Sequence, residues 1–528
     1  MCITRFRFAA FLLTILLLAG HAALADEIRL YEGLGTYHRK VSTTSDLAQD
    51  YFDQGMNLGY AFGRPEAADS FKVATEKDPE CAICYWGEAW TRGPYQNAKM
   101  SAENAPKAYA AIQRAVENID SASELEVALI QAMATRYAEN PEETDREGLD
   151  RAYSEAMREV AARFPDDQDV IALFAESLMV LHPWDLYPDG QLRPEGAEAI
   201  ELLEGVLEKN LRHAGACHLY IHAVEPSDEP GRAEACADVL AQEIPLGSHI
   251  QHMPSHIYMR IGRYADGVRA NQQAHIVDLM AQQDKAVAIY PGHNLRMLWY
   301  AAWMDGQSAI AIQAGYDAAR EGDWATGHLH QALARFGRWD ELKEMNKAPA
   351  GKNPQAIWLF ARGMAFLREG PRAKAEKSLR RLTKIMNTTD PEEKFEEGRK
   401  DGPIHLMRIA HGILAGEMAA ADGDFDAAME HLELAVKAVD HLEYSEPEPW
   451  AIPPRQVLGA LLLQAGRPAE AQKRFEEELA KHPENGWSLH GLAESLRAQA
   501  REEEAAEVDK RFRQAWARSD VFLTSSRF

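Results

Sequence analysis

The stretch AQDYFDQGMNLGYAFGRPEAADSFKVATEKDP, residues 48–79, decides how the chain is read. Its small and apolar residues fall three and four apart: Tyr51, Gly55 and Leu58, then Ala67, Phe71 and Ala74, with Pro79 closing the run. That spacing is one face of a helix, met twice. Elsewhere strand signals are almost absent, and Ala, Leu, Glu and Arg recur at helical spacing. Short turns such as Gly262-Arg263-Tyr264 and Ala465-Gly466-Arg467-Pro468 punctuate these runs at regular intervals.

Counted from Ala48, the seven residues occupy positions 4, 8, 11, 20, 24, 27 and 32 of a 34-residue unit. Gly363, Phe366, Ala375, Leu379 and Leu382 repeat positions 8 through 27. Leu458, Gly459, Leu462, Ala471, Phe475 and Pro483 repeat the pattern again, followed by Leu492, Ala493, Leu496 and Ala505. Residues 262–274 match the turn and second helix of another unit. The pattern resembles the tetratricopeptide (TPR) repeat, two antiparallel helices whose small residues allow close approach. The resemblance implies an all-α, right-handed superhelical solenoid of about seven to ten such pairs over residues 45–520. A solenoid at 26–345, then further units and a cap at 346–528, is the expected division, with a hinge near 345–355. Two stretches depart from the repeat: a Pro/Gly-rich loop at 183–196 and an extended linker, Glu446 to Pro454.

The chain has 528 residues, with 82 Asp and Glu against 57 Lys and Arg. A net charge of −25 argues against nucleic acid, whose phosphates need a basic footprint. Arg5 and Arg7 precede an apolar run, Ala9 to Gly20, and Ala23-Leu24-Ala25 offers a small-x-small cleavage site before Asp26. Residues 1–25 therefore read as a signal peptide, with no transmembrane segment after cleavage. The expected compartment is the periplasm of a bacterium or the exterior. Four cysteines follow the leader, Cys81, Cys84, Cys217 and Cys236, an even number suited to disulfides in an oxidising compartment. Cys217 and Cys236 fall near positions 4 and 23 of one unit, where its helices pack, and are expected to pair; Cys81 and Cys84 read as a local disulfide or as two buried thiols.

Histidine is concentrated between His213 and His293. His218/His222 and His252/His256 are i,i+4 pairs, each projecting from one helical face. The second pair lies 34 residues beyond the first, one repeat on. With Gly262 at the turn, His249, His252 and His256 occupy positions 2, 5 and 9 of a first helix. His218, His222 and Glu225 occupy 5, 9 and 12 of the preceding unit. His293, Arg296 and Tyr300 take 2, 5 and 9 of the next, and Glu176 takes 9 in an earlier one. The TPR resemblance implies that these positions line the concave groove.

Neighbouring helices lie roughly 8–10 Å apart, close enough for the four imidazoles, with His249 and His293, to share a transition metal such as zinc, copper or iron. More than four donors also leaves room for two ions. Pro254 interrupts the ladder: if the helix starts there, His252 ligates from a cap instead. Trp86 and Trp90, at positions 5 and 9 of the second unit, read as an aromatic floor for a ligand or as core. Arg296 and Tyr300 are candidates for contact with a substrate or partner.

Three functions remain open: a metal-dependent binding protein, a metalloenzyme with Glu225 or Glu176 as base, and a scaffold holding an extended peptide or protein in the groove. The sequence contains no nucleophile elbow, P-loop, dinucleotide fingerprint or HExxH motif.

Overall fold

The computed structural model describes residues 28–140, 145–395 and 400–528. The leader reading of residues 1–25 lies outside them. Among the described residues the chain is all-α and TPR-like, with only isolated bridges in place of strands. Helical hairpins follow one another from Asp46–Tyr60 with Arg64–Lys77 to Gly486–Arg497 with Glu502–Ala515. None of these helices is long and apolar enough to cross a membrane.

The small residues in the repeat have a steric purpose. A Cβ on Gly55 would lie 2.7 Å from the Phe71 ring, and one on Gly87 would lie 2.3 Å from the same ring. Phe71 is thus a wedge seated between two successive first helices, against backbone that only glycine leaves open. The same device recurs near the other end. There Phe475 lies between Gly459 and Gly491, whose Cβ atoms would stand 2.6 and 2.2 Å from its ring.

Two buried clusters form the core, one running from Leu34 to Ile289 and the other from Tyr264 to Val508. Residues on both sides of 345 share the second cluster, and the Trp358 indole donates to the Met345 carbonyl at 2.9 Å. The C-terminal hairpins fold back on the middle of the chain. The Tyr264 hydroxyl donates to the Pro483 carbonyl at 3.0 Å, and Arg518 reaches Asp305 at 2.8 Å. Gly262, at φ +83°, turns where a side chain would strike the Pro483 carbonyl.

The Glu446–Pro454 linker is a strap over this inner surface. Gln331 pins it by accepting from the Ala451 amide at 2.8 Å and donating to the Pro449 carbonyl at 3.3 Å. Trp450 is buried beneath it.

Candidate metal centre

Six of the eight clustered histidines converge in the interior. His218 and His222 come from the helix Ala214–Val224, His249 and His252 from Ser248–His252, His256 from Pro254–Arg260, and His293 from Pro291–Met304. A new helix does start at Pro254, as expected, but Met253 keeps helical angles at the join (φ −49°, ψ −39°), so the two short helices hold nearly the same course. His252 and His256 therefore remain on one face, their Nε2 atoms 2.6 Å apart.

The ligand atoms form two triads, His218/His222/His249 and His252/His256/His293, each with its atoms within 4.8 Å of one another. His249 joins them, its ring centroid 5.3 Å from that of His252. His213 and His275 stand apart. His213 caps its helix by accepting from the Ala216 amide and lies 3.2 Å from Asp169.

Hydrogen bonds fix most of the tautomers. His218 Nδ1 donates to the Tyr60 carbonyl at 2.6 Å. His222 Nδ1 donates to Glu225 Oε1 at 2.7 Å, and His256 Nδ1 donates to Glu225 Oε2 at 2.6 Å. His252 Nδ1 faces Asn271 Oδ1 at 2.8 Å; the Asn271 amide donates to the Gly267 carbonyl, which orients that oxygen. His218, His222 and His252 then carry the proton on Nδ1 and a lone pair on Nε2, the arrangement of a histidine ligand braced by outer partners, while the His256 ring donates from Nε2 to His252 Nε2 at 2.6 Å. The Nε2 atoms of His218 and His222 and both nitrogens of His249 are buried without a hydrogen-bond partner.

Electrostatics separate His256 from the rest. Burial, then the neighbouring imidazoles, hold His218, His249, His252 and His293 well below the usual histidine range. Burial also opposes a charge on His256, but Glu225 and Glu446 outweigh it and raise the ring to about 10. Glu225 is held well below the carboxylate range because His256 and His222 overcome its burial. Glu446 is raised by burial and by the charge of Glu225.

Three aromatic residues enclose the imidazoles. Phe62 lies 4.1 Å from His218, Tyr290 5.0 Å from His249, and Trp184 5.3 Å from His222, centroid to centroid. All three have left-handed backbones, at φ 61°, 53° and 60°. Such conformations cost about 1–3 kcal/mol each and gather where function requires them. Of the three, Trp184 reaches solvent, at 46% exposure.

The strap completes the site from far along the chain. The Tyr444 hydroxyl donates to Glu225 Oε2 at 2.5 Å, and Glu446 Oε2 accepts from His256 Nδ1 at 2.8 Å. The residue pattern gave no sign of either residue, nor of Phe62, Tyr290 or Asn271. The departures from the repeat at 183–196 and 446–454 were the available signal.

The remaining candidates lie elsewhere. Both oxygens of Glu176 are engaged, one by Arg64 and one by the Trp90 indole at 2.8 Å, which leaves none for a base. Trp86 and Trp90 stack at 5.8 Å and are buried, so they form core packing beside that ion pair. Arg296 pairs with Glu321 and covers Trp324, while the Tyr300 hydroxyl meets His482 at 3.3 Å. Neither joins the histidines. Glu225 spans two imidazoles as a brace, so its oxygens are committed as well. The cysteines are joined Cys81 to Cys84 and Cys217 to Cys236, with Cα separations of 5.4 and 5.2 Å.

Fold and site together define a TPR-like helical solenoid with a buried six-histidine cluster. No known protein-family description matches the chain, and neither does any curated protein. Among solved structures it is similar to a human IFIT1 dimer with m7Gppp-AAAA, at 11% identity and a TM-score of 0.31, over 87% of this chain and 94% of that one. It is also similar to the APC/C hetero-tetramer Cut9–Hcn1, at 13% and 0.30, over 91% and 77%. Yeast Tom70 gives 12% and 0.30, over 88% and 90%. At such scores the fold rests on the chain's own hairpins.

Proposed function

We propose that this is a transition-metal protein, its centre held by the histidines at 218, 222, 249, 252, 256 and 293. One observation carries the reading: the buried Nε2 atoms of His218 and His222 and both ring nitrogens of His249 converge with no hydrogen-bond partner to satisfy them. A buried acceptor left unpaired costs about 1–3 kcal/mol, and several at one point are explained together by a cation. Neutral imidazole donors suit zinc, copper or iron rather than magnesium or calcium. Bound there, such an ion supplies Lewis acidity or redox chemistry.

A peptide groove is the weaker reading at this position. A peptide clamp needs exposed side chains, and His218, His252 and His256 are at most 1% exposed. Small molecules and protons fit the enclosure; an extended partner would have to use another face. Export to the periplasm or beyond is supported by the leader pattern and by two disulfides. The acidic surface argues for partners other than nucleic acid.

Elemental analysis of full-length, untagged protein tests the reading, together with the His222→Ala/His256→Ala double variant. Stoichiometric zinc, copper or iron in the parent, lost in the variant with helical circular dichroism retained, is expected. Parent protein that binds none of the three when each is supplied would overturn it.

A further inference from the structure

The six histidines are too spread for one ion. A metal held at about 2.0–2.2 Å from each nitrogen keeps its donors within roughly 4 Å of one another. The donor atoms of each triad lie within 4.8 Å of one another, but the six atoms do not form a single set at that distance. Three protein donors and an open position are also the usual make-up of a reactive zinc site, whereas six imidazoles on one ion are not.

From this geometry we infer that the centre is dinuclear, with one late first-row transition ion in each triad. The inference rests on the metal reading above. Glu225 is the positioning residue that ties the two halves together. One of its oxygens fixes the tautomer of His222 in the first triad, and the other fixes that of His256 in the second. The adjacency of the triads places the open positions in one enclosure, with the His222 and His256 rings 5.6 Å apart and the His249 and His252 rings 5.3 Å apart. The ligand class follows from burial: a molecule of few atoms, able to bridge two ions, reaching them past Trp184.

A competing arrangement places an ion on His222, Glu225 and Glu446, whose ligand atoms also lie within 4.8 Å. It makes the carboxylates ligands and leaves His249 idle.

The test uses full-length protein stripped with a chelator and reloaded separately with zinc and with copper(II). Two ions per chain are expected. His249→Ala and His293→Ala, which remove one donor from each triad, should each retain one tightly bound ion. Copper electron paramagnetic resonance gives a readout that does not depend on variant folding. Two neighbouring copper(II) ions in the parent should couple and lose signal intensity relative to copper content. Each variant should give the full signal of an isolated ion. One ion per chain in the parent, or an uncoupled full-intensity signal at saturation, overturns the dinuclear centre while leaving the metal reading intact. Loss of all metal from either variant, or full retention in His249→Ala, overturns it as well. No metal in the parent removes both readings.

Discussion

Glu225→Gln is the sharpest perturbation of the site, since it changes one oxygen to an amide and almost nothing in shape. Glu225 is fully buried and accepts from His222 Nδ1, His256 Nδ1 and the Tyr444 hydroxyl. Glutamine offers one accepting oxygen and one donating amide. Whichever imidazole meets the amide must turn its proton from Nδ1 to Nε2, which consumes the lone pair a metal needs. Losing a brace of this kind costs about 10–100-fold in affinity, or about 1.4–2.7 kcal/mol. The loss should fall mainly on the triad whose histidine faces the amide. Zinc affinity measured by competition with a chromophoric chelator reads it directly, with circular dichroism as the control for folding. A variant that binds zinc as tightly as the parent at every site would show that Glu225 does not set these tautomers.

Three further outcomes follow from the geometry. Because burial holds His218, His249, His252 and His293 below the ordinary 6.5, protons compete weakly for them. The ion held by His218, His222 and His249 should then survive dialysis at pH 6.5 and leave only at more acid pH; complete release of metal at or above 6.5 would contradict the buried, neutral state of His218 and His249. At His482, burial opposes the charge but Glu448 and Glu478 raise the ring to about 10, above its unfolded 6.5. Its contribution to stability is full below pH 6.5 and lost as pH climbs through about 10, so His482→Gln should flatten the decline in melting temperature across that window; an unchanged slope would refute the assignment. Gly87→Ala should destabilise by about 1–3 kcal/mol in urea through overlap with Phe71, although alanine is the better helix former by about 1 kcal/mol; a raised midpoint would mean the wedge yields.

The helical repeat and four of the six clustered histidines were legible because a solenoid turns distance along the chain into distance in space. A 34-residue offset between two HxxxH pairs becomes adjacency of their helices, and no long-range information is needed. His249 and His293 were readable by the same translation. What the repeat cannot carry is contact outside its own period. Tyr444 and Glu446 reach the site from a strap whose prolines read as a spacer, and the left-handed turns at Phe62, Trp184 and Tyr290 leave no mark in composition. The groove positions brought the histidines together but left Glu176, Arg296 and Tyr300 outside the cluster. Those side chains satisfy neighbours within the fold, and register alone does not distinguish a lining residue from a packed one.

The strap has a consequence for how the molecule comes apart. Five of the six imidazoles precede residue 264, while His293, Tyr444 and Glu446 arrive from elements of the second core, so the cluster sits on the seam between two separately buried clusters. A repeat array ordinarily melts by neighbours, each unit answering mainly to the next. A bound ion favours the state in which the seam is shut and adds stability that grows with its free concentration. Occupancy of the proposed site would thereby couple units more than two hundred residues apart, so that the array would behave as one cooperative body instead of two that fray independently.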